Sequence, residues 1–139
     1  MTQIEAFFRK ELVKELRTIA RLMKDEKNPE KKIYYFSAAY GITNRTYRYV
    51  FSGGVLLADL VLTTSYTSLL TRFQQIKSGD TTVSIDEKVF ETLYEGLRSL
   101  ANAFEEGTPI QGPLELILTA SFSVSGPGNY LKEKGMFTL

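Results

Sequence analysis

The segment Asn44-Arg45-Thr46-Tyr47-Arg48-Tyr49 interleaves guanidinium groups with phenol rings. A nucleic-acid surface needs both, cations for phosphates and planar rings for stacking on unpaired bases. Arg9, Lys14, Arg17 and Arg21 lie earlier in the chain and would extend a patch formed by Arg45 and Arg48. If the segment is helical, Arg45 and Arg48 share a face while Tyr47 points about 100° away from Arg48. The rings then serve equally well as core or as protein interface.

The acids suggest three other chemistries. Asp59 stands alone in the apolar run Val55-Leu56-Leu57-Ala58-Asp59-Leu60-Val61-Leu62. A carboxylate buried there needs a partner or a proton. It is a candidate general acid or base, or one half of an internal ion pair with Arg45 or Arg48. Asp80-Thr81-Thr82-Val83-Ser84-Ile85-Asp86, with Glu91 farther on, places oxygen side chains at alternate positions like a calcium loop. The glycine that such a loop requires at its sixth position is Ile85, and a capped helix start explains the same residues. Glu87, Glu91 and Glu95 recur every fourth residue, as a Mg²⁺ pair or, more simply, a solvated acidic face would. Gly126-Pro127-Gly128 lacks a following Lys-Ser or Lys-Thr and reads as a turn rather than an anion cradle. The chain has no His and no Cys. That excludes imidazole bases, Ser–His dyads, thiol nucleophiles, disulfides, zinc fingers and iron–sulfur sites. The expectation is a protein that is not an enzyme, with no catalytic, cofactor-binding or metal residues.

Apolar spacing supplies the elements that would position these groups. Thr2-Gln3-Ile4-Glu5 fits a capping box, and Ile4, Phe8, Leu12, Leu16, Ile19 and Met23 form one stripe of a helix to about residue 27. Its other face carries Arg9, Lys10, Lys14, Arg17, Arg21 and Lys24. Asn28-Pro29 ends that helix and opens a second, running to about Phe51. Ile33, Phe36, Tyr40, Tyr47 and Val50 mark one of its faces; Tyr35, Ile42 and Tyr49 mark another. A rival reading makes residues 45–51 a strand, because aromatic and β-branched residues crowd there. In the third helix Val55, Ala58, Leu62, Tyr66, Leu69, Phe73 and Ile76 make the seam, closed by Ser78-Gly79-Asp80. Ser84-Ile85-Asp86-Glu87 reads as a capping box opening a fourth helix, with Phe90, Leu93, Leu97, Leu100 and Phe104 inward and Gly107 at its end. Residues 114–124 fit a helix slightly better than an alternating strand, and 130–139 fit a short hairpin turning near Lys134-Gly135.

These elements imply a mainly α protein, an antiparallel four- to five-helix bundle with a short C-terminal β-hairpin, in a single helical domain spanning 1–139. A chain of 139 residues can bury about two-thirds of its surface without staples. The net charge of +1 hides a split: residues 1–77 carry 13 Lys/Arg against 7 Asp/Glu, residues 78–139 carry 4 against 9. No signal-peptide pattern opens the chain, and residues 55–62 are too short an apolar run to span a bilayer, so a buried helix in an intracellular, cytoplasmic protein with no membrane partner is expected. With Tyr34, Tyr35, Tyr40, Tyr47 and Tyr49 all on the second helix, there are more apolar faces than one small bundle hides. The reading that follows is a non-enzymatic helical protein acting by self-association, as a homo-oligomer, or as a small subunit of a larger assembly. Tyr35, Ile42 and Tyr49 are its candidate interface residues. RNA or DNA binding through the basic first half is the alternative, with Arg9, Lys14, Arg17, Arg21, Arg45 and Arg48 as contacts.

Overall fold

Leu12, Leu16, Ile19 and Met23 are spaced to fall on one side of a helix, and all are buried. They draw α1 (Gln3–Asp25) onto the interior of the bundle. A computed structural model of the chain describes residues 2–122. In it α1 is followed by α2 (Pro29–Tyr47), α3 (Gly53–Lys77), α4 (Glu87–Glu106) and α5 (Gln111–Phe122). Residues 114–122 are therefore helical. The expected hairpin at 130–139 lies outside the described residues.

Side chains at the helix starts satisfy amides that have no partner within the helix. Thr2 accepts from the Glu5 amide at 3.0 Å, Asn28 from Glu30 and Lys31, and Ser52 from Val55. The fourth cap is Asp86, accepting from the Lys88 amide at 3.0 Å, rather than Ser84. The shift places Ile85 just before the cap and Phe90 in the first turn, the spacing of a hydrophobic staple, and both side chains pack on the core. Gly107 closes α4 at φ 71°, a conformation that glycine adopts without steric cost.

Each helix packs mainly on two neighbours, in the circular order α1–α2–α3–α5–α4. The short turns make α1 and α2, then α2 and α3, antiparallel. Ala6, Phe7 and Lys10 near the start of α1 line one groove with Phe104, Glu105 and Glu106 at the end of α4, which makes that pair antiparallel too. A ring of five cannot alternate direction throughout, so one contact must be parallel. It is α3 against α5: Ile110, just before α5, lies beside Gly54, and Arg72 and Ser68 meet Ser121 at the other end. The expected antiparallel packing thus holds among the first four helices, and α5 is the element that runs parallel to a neighbour.

Two seams also differ from expectation. On α2 the buried positions are Lys32, Ile33, Phe36, Ala39, Thr43 and Thr46. The helix stops at Tyr47, with the Thr46 carbonyl accepting from both the Tyr49 and Val50 amides. Residues 45–51 are thus neither a strand nor helix to Phe51. On α3 the interior face is Val55, Ala58, Leu62, Ser65, Leu69 and Arg72, leaving Tyr66 and Phe73 half-buried. Leu56, Leu57 and Leu60 face outward, so residues 55–62 are buried on one side only. α3 is long and apolar enough to cross a membrane by length and composition, though one face of it is built into this ring.

Candidate functional site

The end of the bundle where α1 begins, α2 stops and α3 starts gathers most of the unburied apolar side chains. The α2–α3 link explains part of this. Val50 is tucked inside, and the Ser52 amide donates back to its carbonyl at 2.8 Å. So tight a bend throws both neighbours outward, and Phe51 is 81% exposed. Its ring meets Tyr47 edge-on at 5.8 Å. Tyr49 is half-exposed and lies flat on Phe8, centroids 4.1 Å apart, while the Arg45 guanidinium sits 5.9 Å from the same ring. Phe7 touches Phe8 edge-on at 5.3 Å. Phe7 and Ile4, one turn apart, stand 56% and 60% exposed. Leu57 and Leu60 extend the apolar surface up α3.

Around the corner from these rings, an open groove of about 1040 Å³ runs between the first half of α1 and the end of α4. Phe7, Val13 and Phe104 supply its apolar lining. Arg9, Lys10, Glu11, Lys14 and Arg17 line its α1 flank, and Glu105 and Glu106 its α4 flank. Arg17 spans the two as a fork: both nitrogens donate to Glu105 at 2.9 Å, and one also reaches Asn102 at 2.9 Å. The hydrogen bond from Arg17 holds the Glu105 carboxyl below its ordinary range, and Glu105 in turn raises Arg17.

The sequence-predicted residues fall as follows. Tyr35 and Ile42 are half-buried against the core, and Tyr49 is occupied by Phe8, so the three do not form one open face. Of the candidate phosphate contacts, Lys14 and Arg21 are exposed, Arg17 is committed to Glu105 and Arg45 to Glu15. Arg48 is exposed, with Asn44 accepting at 3.3 Å. Arg9 is half-buried, its Nε shielded without an acceptor among the described residues. Asp59 pairs with neither arginine. It accepts from the buried Thr43 hydroxyl at 3.1 Å and from the Asn44 amide at 3.5 Å, both on α2. Asp80 accepts from both the amide and the hydroxyl of Thr82, and these bonds lower its pKa and fold its loop on itself. Glu87 takes Lys32, Glu95 takes Arg98, and no group of three acids suited to a metal occurs among the described residues.

Sequence reasoning missed three internal features. Lys32 is buried, donating to Glu87 at 2.7 Å with its ammonium 5.5 Å from the Phe90 ring. Arg72 is buried and donates to the Ser121 carbonyl, and burial lowers its pKa. Gly96 lets α5 approach α4 closely at Ile117. A signal for the first two was present. Lys32, Phe36, Ala39, Thr43 and Thr46 keep helical spacing of four and three, as do Leu62, Ser65, Leu69 and Arg72, but counting only apolar residues skips the polar members.

No family model matches this chain, and no curated protein or solved structure does either.

Proposed function

We propose that this chain is a non-enzymatic helical protein that works by protein–protein association, as a self-assembling subunit or within a larger assembly. The observation that carries the reading is the concentration of Ile4, Phe7, Phe51, Leu57 and Leu60 at one end of the bundle, each about half exposed or more. Scattered apolar side chains are ordinary on a soluble surface, but several gathered together mark an interaction site. Aromatic rings are enriched at protein interfaces for their large, stiff contact area. Most of that surplus lies on α1, on the α2–α3 link and on α3, away from Tyr35 and Ile42, while Tyr34 on α2 is itself 72% exposed. Light scattering over a concentration series tests it. A mass above that of the protomer is expected, and a strict protomer mass at high micromolar concentration overturns it.

Nucleic-acid binding is the second reading. Lys10, Lys14, Arg21 and Lys24 are all exposed and fall on one stripe of α1, and this favours it. The engagement of Arg17 and Arg45 by carboxylates counts against it. It predicts retention of RNA or DNA on a filter at low salt, lost steeply as salt rises. No retention of either at low salt removes it.

A further inference from the structure

We infer that the groove between α1 and α4 is occupied by a second copy of this chain, the two copies related by a two-fold axis. This names a partner and a surface for the association reading above and rests on it; of the apolar side chains that carry that reading, Phe7 lines the groove. The groove has an apolar lining, an α1 flank that is mainly basic but includes Glu11, and an acidic α4 flank. Phe7, 56% exposed, lines it together with Phe104 and Val13. Lys10 and Lys14 lie along α1, and Glu106 lies at the end of α4. Among the described residues none of these three charges makes an ion pair, whereas Arg17 and Glu105 satisfy each other.

Glu106 is also poorly placed in the protomer. The last turn of a helix carries partial negative charge, so two successive carboxylates there oppose the dipole. Arg17 answers Glu105, and Glu106 keeps only the more distant field of the same arginine. A cation supplied from outside would relieve it.

The pairing of signs selects the occupant. A polyanion drawn to Lys10 and Lys14 would meet Glu105 and Glu106 across the groove, and a basic partner drawn to the acids would meet the lysines. A second copy carries both stripes at the same separation. In a two-fold interface the same patch faces itself, so residue i meets j and j meets i. Lys10 and Lys14 then oppose the partner's Glu106 at both edges, with Phe7 and its counterpart between them. An apolar centre inside a charged rim is the ordinary anatomy of a protein interface.

Charge reversal on the exposed rim tests this without touching the core. Lys10→Glu with Lys14→Glu makes each interface acid against acid, and Glu106→Lys makes each base against base. Each variant alone is expected to lose the dimer mass in light scattering, because like charges placed opposite each other are strongly disfavoured. An equimolar mixture of the two restores opposite signs at both edges and is expected to recover the dimer mass. Phe7→Ser, which removes an exposed ring, is expected to lose it as well. If the wild type associates and the charge variants do so equally well, this surface is wrong while the association reading stands. Variants that fall apart but whose mixture stays at protomer mass overturn the two-fold pairing. A wild type that is only ever a protomer overturns both.

Discussion

Replacing Gly96 by alanine tests the packing of α4 on α5. A Cβ built on Gly96 lies 2.6 Å from Ile117 Cγ1 and 3.3 Å from Ile117 Cδ1. Carbon atoms rest about 3.5–4.0 Å apart, so about 1 Å of separation must be found. Ile117 cannot easily supply it. Its side chain is fully buried, and Cγ1 is the root of a branched side chain that a helix holds in one preferred rotamer. Alanine itself favours an interior helical position over glycine by about 0.8–1.0 kcal/mol. Overpacking a filled core costs about 1–3 kcal/mol. The clash outweighs the propensity over most of that range, and Gly96→Ala is expected to lose up to about 2 kcal/mol net. In a thermal melt followed by circular dichroism, that is a fall of up to about 7 °C. Ile117→Val keeps a γ carbon at the clashing position and should not rescue the variant. Ile117→Ala removes it, so the double variant should lose less than the sum of the two single losses. Gly96→Ala more stable than wild type, or a strictly additive double-mutant cycle, would refute the close approach.

Lys32→Met is expected to stay within about 1 kcal/mol of wild type, since an apolar side chain of similar size can replace a buried ion-pair member. Glu87→Ala should cost more, about 1–3 kcal/mol, because it strands a buried ammonium whose partner was partly solvated; urea melts of the two variants give the order. Thr43→Val should cost about 1–3 kcal/mol by taking the hydroxyl from Asp59, and adding Asp59→Leu should recover much of that. The lowered carboxyl of Glu105 binds its proton less readily folded than unfolded, so its contribution is present above the ordinary value of 4.5 and lost as pH falls through the lowered one. Arg17→Gln should therefore flatten the dependence of stability on pH just below 4.5; an unchanged acid limb would mean that the fork is not formed in solution.

Much of the local structure was legible in the chain. Leu12, Leu16, Ile19 and Met23 mark α1, and Phe90, Leu93, Leu97 and Leu100 mark α4, because every third or fourth position returns to the same side of a helix. Thr2, Asn28 and Gly107 punctuate the helices because each meets a local need of helix ends, a free amide or a left-handed turn. The candidate site was far less legible. Phe7 and Glu106 are separated by nearly the whole length of the described chain, and no spacing within α1 or α4 says that their ends share a groove. Leu56, Leu57 and Leu60 look as buried in sequence as Val55, Ala58 and Leu62, while Lys32 and Arg72 look as solvated as any surface cation.

By itself, then, the sequence determined where helices form, how most of them start and stop, and which chemistries lack the residues to occur. The tertiary structure decided the circular order of the helices, the parallel contact of α3 with α5, the partner that Asp59 takes and the apolar rings left outside. The reason is the range of the forces. Helical period and capping act over a few residues, whereas burial is shared among whatever surfaces the packed chain brings together, and that is settled only when all five helices meet.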